Sequence, residues 1–100
     1  MLFDNLQDAG EVFELIEQSE TPVIVHYWNP GEGPESPLTP IFWEADQQRG
    51  DEVKFVIVNS GFIHPQHSPD EMPLTVLYKQ GEEVDTAFSP PEIHKLIEKA

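Results

Sequence analysis

Two apolar runs constrain this chain more than anything else in it: Pro22-Val23-Ile24-Val25-His26-Tyr27-Trp28 and Val53-Lys54-Phe55-Val56-Ile57-Val58. A strand with one wet face alternates apolar and polar residues, and these runs do not, so both read as strands buried on two faces and covered by helices. The first run is bounded by Pro22 before it and Asn29-Pro30-Gly31 after it. Between the runs, residues 35–48 place Leu38, Ile41, Phe42 and Ala45 at helical spacing, and Arg49-Gly50-Asp51 closes that helix. Pro37 suits a first turn, whereas Pro40 is expected to remove an internal hydrogen bond and kink the helix. Strand, helix and parallel strand make a βαβ unit, and that unit sets the architecture.

The remaining segments attach to it. Asp8 to Gln18 puts Val12, Phe13, Leu15 and Ile16 on one helical face and Glu11, Glu14 and Glu17 largely away from it, with Glu20-Thr21-Pro22 as its stop. Asn59 to Met72 carries Gly61, Pro65 and Pro69 and no sustained apolar period, which predicts a loop or one short turn of helix. Leu74 to Tyr78 and Glu82 to Phe88 flank Lys79-Gln80-Gly81 and are expected to pair antiparallel, with Gly81 available for positive φ. Ser89-Pro90-Pro91-Glu92 reads as a capping box with proline at the first helical position, followed by Ile93, Leu96 and Ile97 at i, i+3 and i+4. With a short strand at Leu2 to Asp4, the expectation is an α/β fold in one domain, residues 1–100, with a central mixed sheet of four to five strands flanked by helices.

Charge narrows the partners. The chain holds 19 acidic and 5 basic residues, a net charge of −14, and its first cation is Arg49. Nucleic acid and anionic membranes need cations opposite their phosphates, so neither is an expected partner. A basic protein is, although the same acidity also serves solubility. The amino terminus has no basic segment leading into an apolar one, and no apolar run approaches the roughly 20 residues that span a bilayer, so a cytoplasmic location is expected. The 100 residues include no cysteine, which excludes disulfides, thiolate nucleophiles and every cysteine-containing metal site within them.

Several landmarks then agree in order and spacing. Val25-His26-Tyr27-Trp28 is similar to a strand ending in Asp-Phe-Trp, and Glu32-Gly33-Pro34-Glu35 stands where a Cys-Gly-Pro-Cys motif follows such a strand. Pro40 resembles a proline that kinks the next helix, Met72-Pro73-Leu74-Thr75 an Ile-Pro-Thr segment carrying a cis-proline, and Gly81 the turn of a last hairpin. Across nearly the whole chain these features resemble the thioredoxin family. The resemblance implies a thioredoxin-like fold, and the two glutamates make this a cysteine-less relative. Thiolate attack and mixed-disulfide formation need sulfur, so dithiol oxidoreductase activity is excluded. His26 matches the family's buried carboxylate and, with no thiol beside it to serve, is expected to be a core histidine with a hydrogen-bond partner rather than a catalytic base.

The glutamates themselves suggest little catalysis. At a helix amino terminus, the macrodipole and free N–H groups favour ionised Glu32 and Glu35, whereas a general acid needs the opposite shift. A metal site built from Glu32, Glu35 and His26, or from His64 and His67, is only weakly signalled by the ligand types. No catalytic residue, metal or cofactor is therefore expected. Pro73 is more informative, because in the resembled family a cis-proline leaves backbone groups free to pair with an extended peptide. Trp28, Pro34, Ile63, Met72 and Pro73 would line such a groove, rimmed by Glu32, Glu35, Asp70 and Glu71, with Gly33 part of the same contact surface. For Trp28 and Trp43, packing is the simpler expectation, Trp43 on the inner side of its helix. The leading expectation is a redox-inactive thioredoxin-like protein that binds a basic protein as adaptor, chaperone or inhibitor. The alternatives are a metal-binding or carboxylate-dependent enzyme using Glu32, Glu35 and His26, and an acidic mimic of nucleic acid.

Overall fold

The computed structural model describes residues 2–3, 9–27, 38–58 and 74–100, with backbone alone for 2–3 and 9–12. The first apolar run forms β2 (Val23–Tyr27), in which all five side chains are buried. The second forms β3 (Lys54–Val58), buried from its second residue onward. They lie side by side in parallel register, Val23 opposite Lys54 and Tyr27 opposite Val58. On the other side of β2 runs β4 (Leu74–Lys79), antiparallel, with Val25 opposite Val76. Strands β1 (Leu2–Phe3) and β5 (Glu82–Ala87) complete a five-stranded mixed sheet of order β1-β3-β2-β4-β5. The expected mixed α/β sheet is observed, at the upper end of its strand count.

Successive side chains of a strand point to opposite faces, which divides the core in two. On one face Val23, Val25, Tyr27, Val56, Val58, Leu74, Val76 and Tyr78 pack with Ile16, Phe13 and Leu15 of α1 (Ala9–Gln18). On the other, Ile24, Phe55, Ile57, Leu77 and Ala87 meet Phe42 and Ala45 of α2 (Thr39–Arg49) and Ile93, Leu96 and Ile97 of α3 (Pro90–Lys99). Each fully buried aliphatic side chain contributes roughly 1.5–3 kcal/mol, so β2, inaccessible on both sides, holds the two layers together.

Two expectations about α2 need correction. Among the described residues the helix begins at Thr39, so Pro40 lies in its first turn. There its missing N–H would have had no intrahelical acceptor, and it breaks no internal hydrogen bond. Trp43 does not pack inward: it is 46% exposed. The inner stripe is Leu38, Ile41, Phe42 and Ala45, and at 3.6 residues per turn Trp43 stands about 100° past Phe42, facing out.

The carboxyl end of α3 gathers most of the cations. Arg49 donates from Nε to Glu52 at 3.2 Å, from one terminal nitrogen to the Ile97 carbonyl, and from the other to the Ala100 oxygen at 3.0 Å. Lys79 Nζ reaches the Lys99 carbonyl at 3.2 Å, and Lys99 Nζ pairs with Asp85 Oδ2 at 2.8 Å. Terminal helix carbonyls lack intrahelical donors and carry partial negative charge, so cations there are favourably placed. At the other end of α3, Glu92 Oε1 accepts from the Ser89 hydroxyl at 2.9 Å and from the Phe88 N–H at 3.4 Å. Neither bond of the expected capping box is made: the Ser89 hydroxyl reaches no helix N–H, and Glu92 accepts from the N–H of Phe88, one residue before the cap, rather than from that of Ser89.

The β4–β5 connection is a two-residue turn between the paired residues Lys79 and Glu82. Gln80 has φ 54° and Gly81 φ 82°, the pair of left-handed residues that a type I′ hairpin requires. A β-carbon at Gly81 would meet nothing closer than Glu17 Cα at 3.7 Å, so conformation rather than space selects glycine there. Gly81→Ala should therefore lower the unfolding free energy by about 1 kcal/mol, and Gln80→Asn should raise it by a few tenths. Urea titrations at unchanged m-value check both; a neutral Gly81→Ala would refute the turn assignment.

Candidate functional site

All eight residues predicted to bind a partner, Trp28, Glu32, Gly33, Pro34, Glu35, Ile63, Met72 and Pro73, lie outside the described residues, as do the rim residues Asp70 and Glu71 and the histidines His64 and His67. The described residues do fix the ends of the segments that carry them. β2 finishes at Tyr27 and β3 at Val58, which are register partners, and Leu74, the first residue of β4, lies opposite Tyr27. Trp28 and Pro73 are thus covalently joined to paired residues, and Asn59 to their neighbour. Three chain crossings meet at the carboxyl end of the parallel strands, where open α/β sheets place their sites.

Directly beneath that end lies His26. It is fully buried, its Nδ1 is 3.0 Å from Thr75 Oγ1 on β4, and its ring lies 4.9 Å from that of Phe42 on α2, tilted by 32°. His26 and Thr75 are register partners one residue inside the Tyr27–Leu74 pair, which explains why their side chains meet. Burial disfavours the imidazolium and brings the His26 pKa down to about 4. The ring is neutral at physiological pH, the state of a core histidine, as expected. Thr39, also buried, opens α2 beside this layer.

On the opposite face the hydroxyls of Tyr27 and Tyr78 lie 2.8 Å apart, both rings buried. Burial first, then the neighbouring phenol and Glu83, pushes Tyr27 far above the ordinary phenol range. Burial likewise carries Tyr78 up to about 12. Both phenols stay neutral and lock β2 to β4. Sequence reasoning overlooked this pair and the Thr75 partner of His26; the only available signal was a polar tip on a residue placed in an apolar strand.

Among the described residues no group of three histidine, aspartate or glutamate side chains is arranged to hold a metal ion, and no helix is long and apolar enough to cross a membrane. The chain is 35% identical to thioredoxin 1 of Synechococcus elongatus over 82 residues, which is 79% of this chain and 76% of the relative. It is 30% identical to the thioredoxin of Bacillus subtilis over 89 residues, 83% and 86% of the two chains. Among solved structures, oxidised thioredoxin of Plasmodium falciparum superposes with a TM-score of 0.73 at 24% identity, covering 98% of this chain and 97% of that one. Mitochondrial thioredoxin 3 of Saccharomyces cerevisiae gives 0.73 at 22% identity, covering 98% and 95%. No family model matches the chain. With the fold and the relatives in agreement, this chain belongs to the thioredoxin family, and its 100 residues hold none of the cysteines on which that family's dithiol chemistry depends.

The buried histidine sets a pH dependence. The unfolded state binds a proton on His26 below the ordinary histidine value of about 6.5, while the folded state does so only below about 4. Between those values the unfolded chain holds more protons, so the His26 contribution is fully present above pH 6.5 and is lost as pH falls toward 4. The difference in unfolding free energy between the protein and His26→Asn should shrink by about 3 kcal/mol from pH 7 to pH 4. Parallel curves for the two across that range would show that His26 is not held neutral.

Proposed function

We propose that the protein is a redox-inactive member of its family that binds another protein, as adaptor, chaperone or inhibitor, in the cytoplasm. Its contact surface comprises Trp28, Glu32, Gly33, Pro34, Glu35, Ile63, Met72 and Pro73, and its partner presents lysine or arginine. The observation that carries this reading is the retention of the thioredoxin frame around a centre stripped of its reactive groups. Glutamates occupy the cysteine positions, and the position of the proton-relaying carboxylate holds a neutral histidine between Thr75 and Phe42. A frame without nucleophile or relay retains only its capacity to dock.

Topology and charge support it further. Register pairing brings Tyr27, Val58 and Leu74, the described residues that flank the two sequence segments, to one end of the sheet. The amino-terminal half, which supplies Glu32 and Glu35, has no cation before Arg49, and Arg49 is engaged at the end of α3. The enzymatic alternative is weakened by His26, whose Nδ1 is engaged by Thr75 and whose ring is shut from solvent.

Immobilised protein at low salt should retain a partner that elutes as salt rises. Glu32→Gln combined with Glu35→Gln should weaken retention about tenfold, the effect of losing two exposed charge pairs. Glu14→Gln with Glu17→Gln removes the same charge from α1 and should leave the partner bound. Equal losses from both double variants would reduce the interaction to net charge and overturn the site.

A further inference from the structure

A second surface lies on the face of the sheet covered by α2 and α3. A cleft of about 180 Å³ opens between them, lined by Ile41, Glu44, Ala45, Gln48, Arg49, His94, Ile97 and Glu98. Its floor is apolar: Ala45 and Ile97 are 7% and 8% exposed, and Ile41 is partly buried. Its walls are polar and spaced by a helical turn, Glu44 and Gln48 on α2 and His94 and Glu98 on α3, all exposed. The one strong cation in the lining, Arg49, directs its guanidinium to the Ile97 and Ala100 oxygens and to Glu52. Its guanidinium is turned to those acceptors, and the two carboxylates outnumber it in the lining.

We propose that this α2–α3 groove receives a lysine or arginine side chain from a basic peptide segment of a partner protein, the aliphatic stem lying on Ile41, Ala45 and Ile97 and the cationic head between Glu44 and Glu98. The volume favours one side chain, being below the roughly 300–1,000 Å³ of sites for small organic ligands. Long cationic side chains bury their methylene stems on apolar surface while the head stays wet, which is the profile of this floor and rim. Charge complementarity points the same way: the chain carries a net −14, and two of its carboxylates stand on the groove walls where a cationic head would sit. A metal ion is a poorer occupant, since no three ligating side chains converge among the described residues. The groove is independent of the docking surface proposed above and would stand if that surface failed.

Titration of the nitrogen-15-labelled full chain with an acetylated, amidated tetralysine peptide tests the assignment. Saturable amide shifts are expected over residues 41–48 and 94–98. Glu44→Gln with Glu98→Gln should weaken binding about tenfold, whereas Glu14→Gln with Glu17→Gln should change it by no more than about twofold. The Glu32→Gln/Glu35→Gln variant should keep the groove shifts, which separates this site from the former one. A tetralysine peptide acetylated on every side chain keeps the stems and loses the charge, and it should not bind. Shifts centred on α1, equal losses from the first two double variants, equal binding of the acetylated peptide, or tighter saturation by spermidine would each overturn the proposal.

Discussion

Burial of β2 on both of its faces and along both of its edges is the constraint on which the rest of this structure depends. Val23 to Tyr27 have no solvent side, so α1 must cover one face and α2 with α3 the other. The hydrogen-bonding edges are taken by β3 in parallel and β4 in antiparallel register. Because side chains alternate, a slip of one residue in either pairing would exchange the two core clusters, moving Ile24 and His26 to the layer of Tyr27 and Val25. Register is therefore strongly specified, and with it the positions from which the segments 28–37 and 59–73 depart and return.

That same constraint explains the buried polar groups. A histidine within a strand closed on all sides must be neutral and hydrogen-bonded, because a buried imidazolium without a counter-charge is costly. Thr75, its register partner on β4, supplies the bond. Tyr27 and Tyr78 solve the equivalent problem on the other face by meeting each other. In both cases polar atoms join β2 to β4, the pair of strands whose end carries Tyr27 and Leu74. Neither contact involves sulfur, so this part of the fold does not depend on the family's cysteines. The cations follow a similar economy of placement: Arg49, Lys79 and Lys99 cluster where α3 ends, so acidic surface elsewhere on the described helices meets little positive charge.

Much of the fold was legible from the residues. Continuous apolar runs announced β2 and β3, the i, i+3, i+4 spacing of Ile93, Leu96 and Ile97 announced α3, and Gly81 announced the hairpin. Two readings of α2 failed because both depend on where the helix begins and how it is rotated. Pro40 is harmless in a first turn and disruptive one turn later, and a tryptophan one step off a buried stripe faces solvent however apolar it is. The residues proposed for docking were placed by their resemblance to the family's motifs and lie outside the described residues, which add only the register that brings their flanks together. The α2–α3 groove had no signature at all in the sequence, since its walls come from helices some fifty positions apart.

The sequence by itself determined the layered α/β architecture, the acidic character and the absence of thiol chemistry, because periodicity, charge and elemental composition are local or additive properties of a chain. Tertiary structure alone decided that His26 meets Thr75 and Phe42, that Tyr27 meets Tyr78, that Arg49 closes the end of α3 and that Glu44 and Glu98 share a groove. Each of those is a contact between residues distant in the chain, fixed by strand register and helix rotation, and neither quantity exists until the sheet has formed.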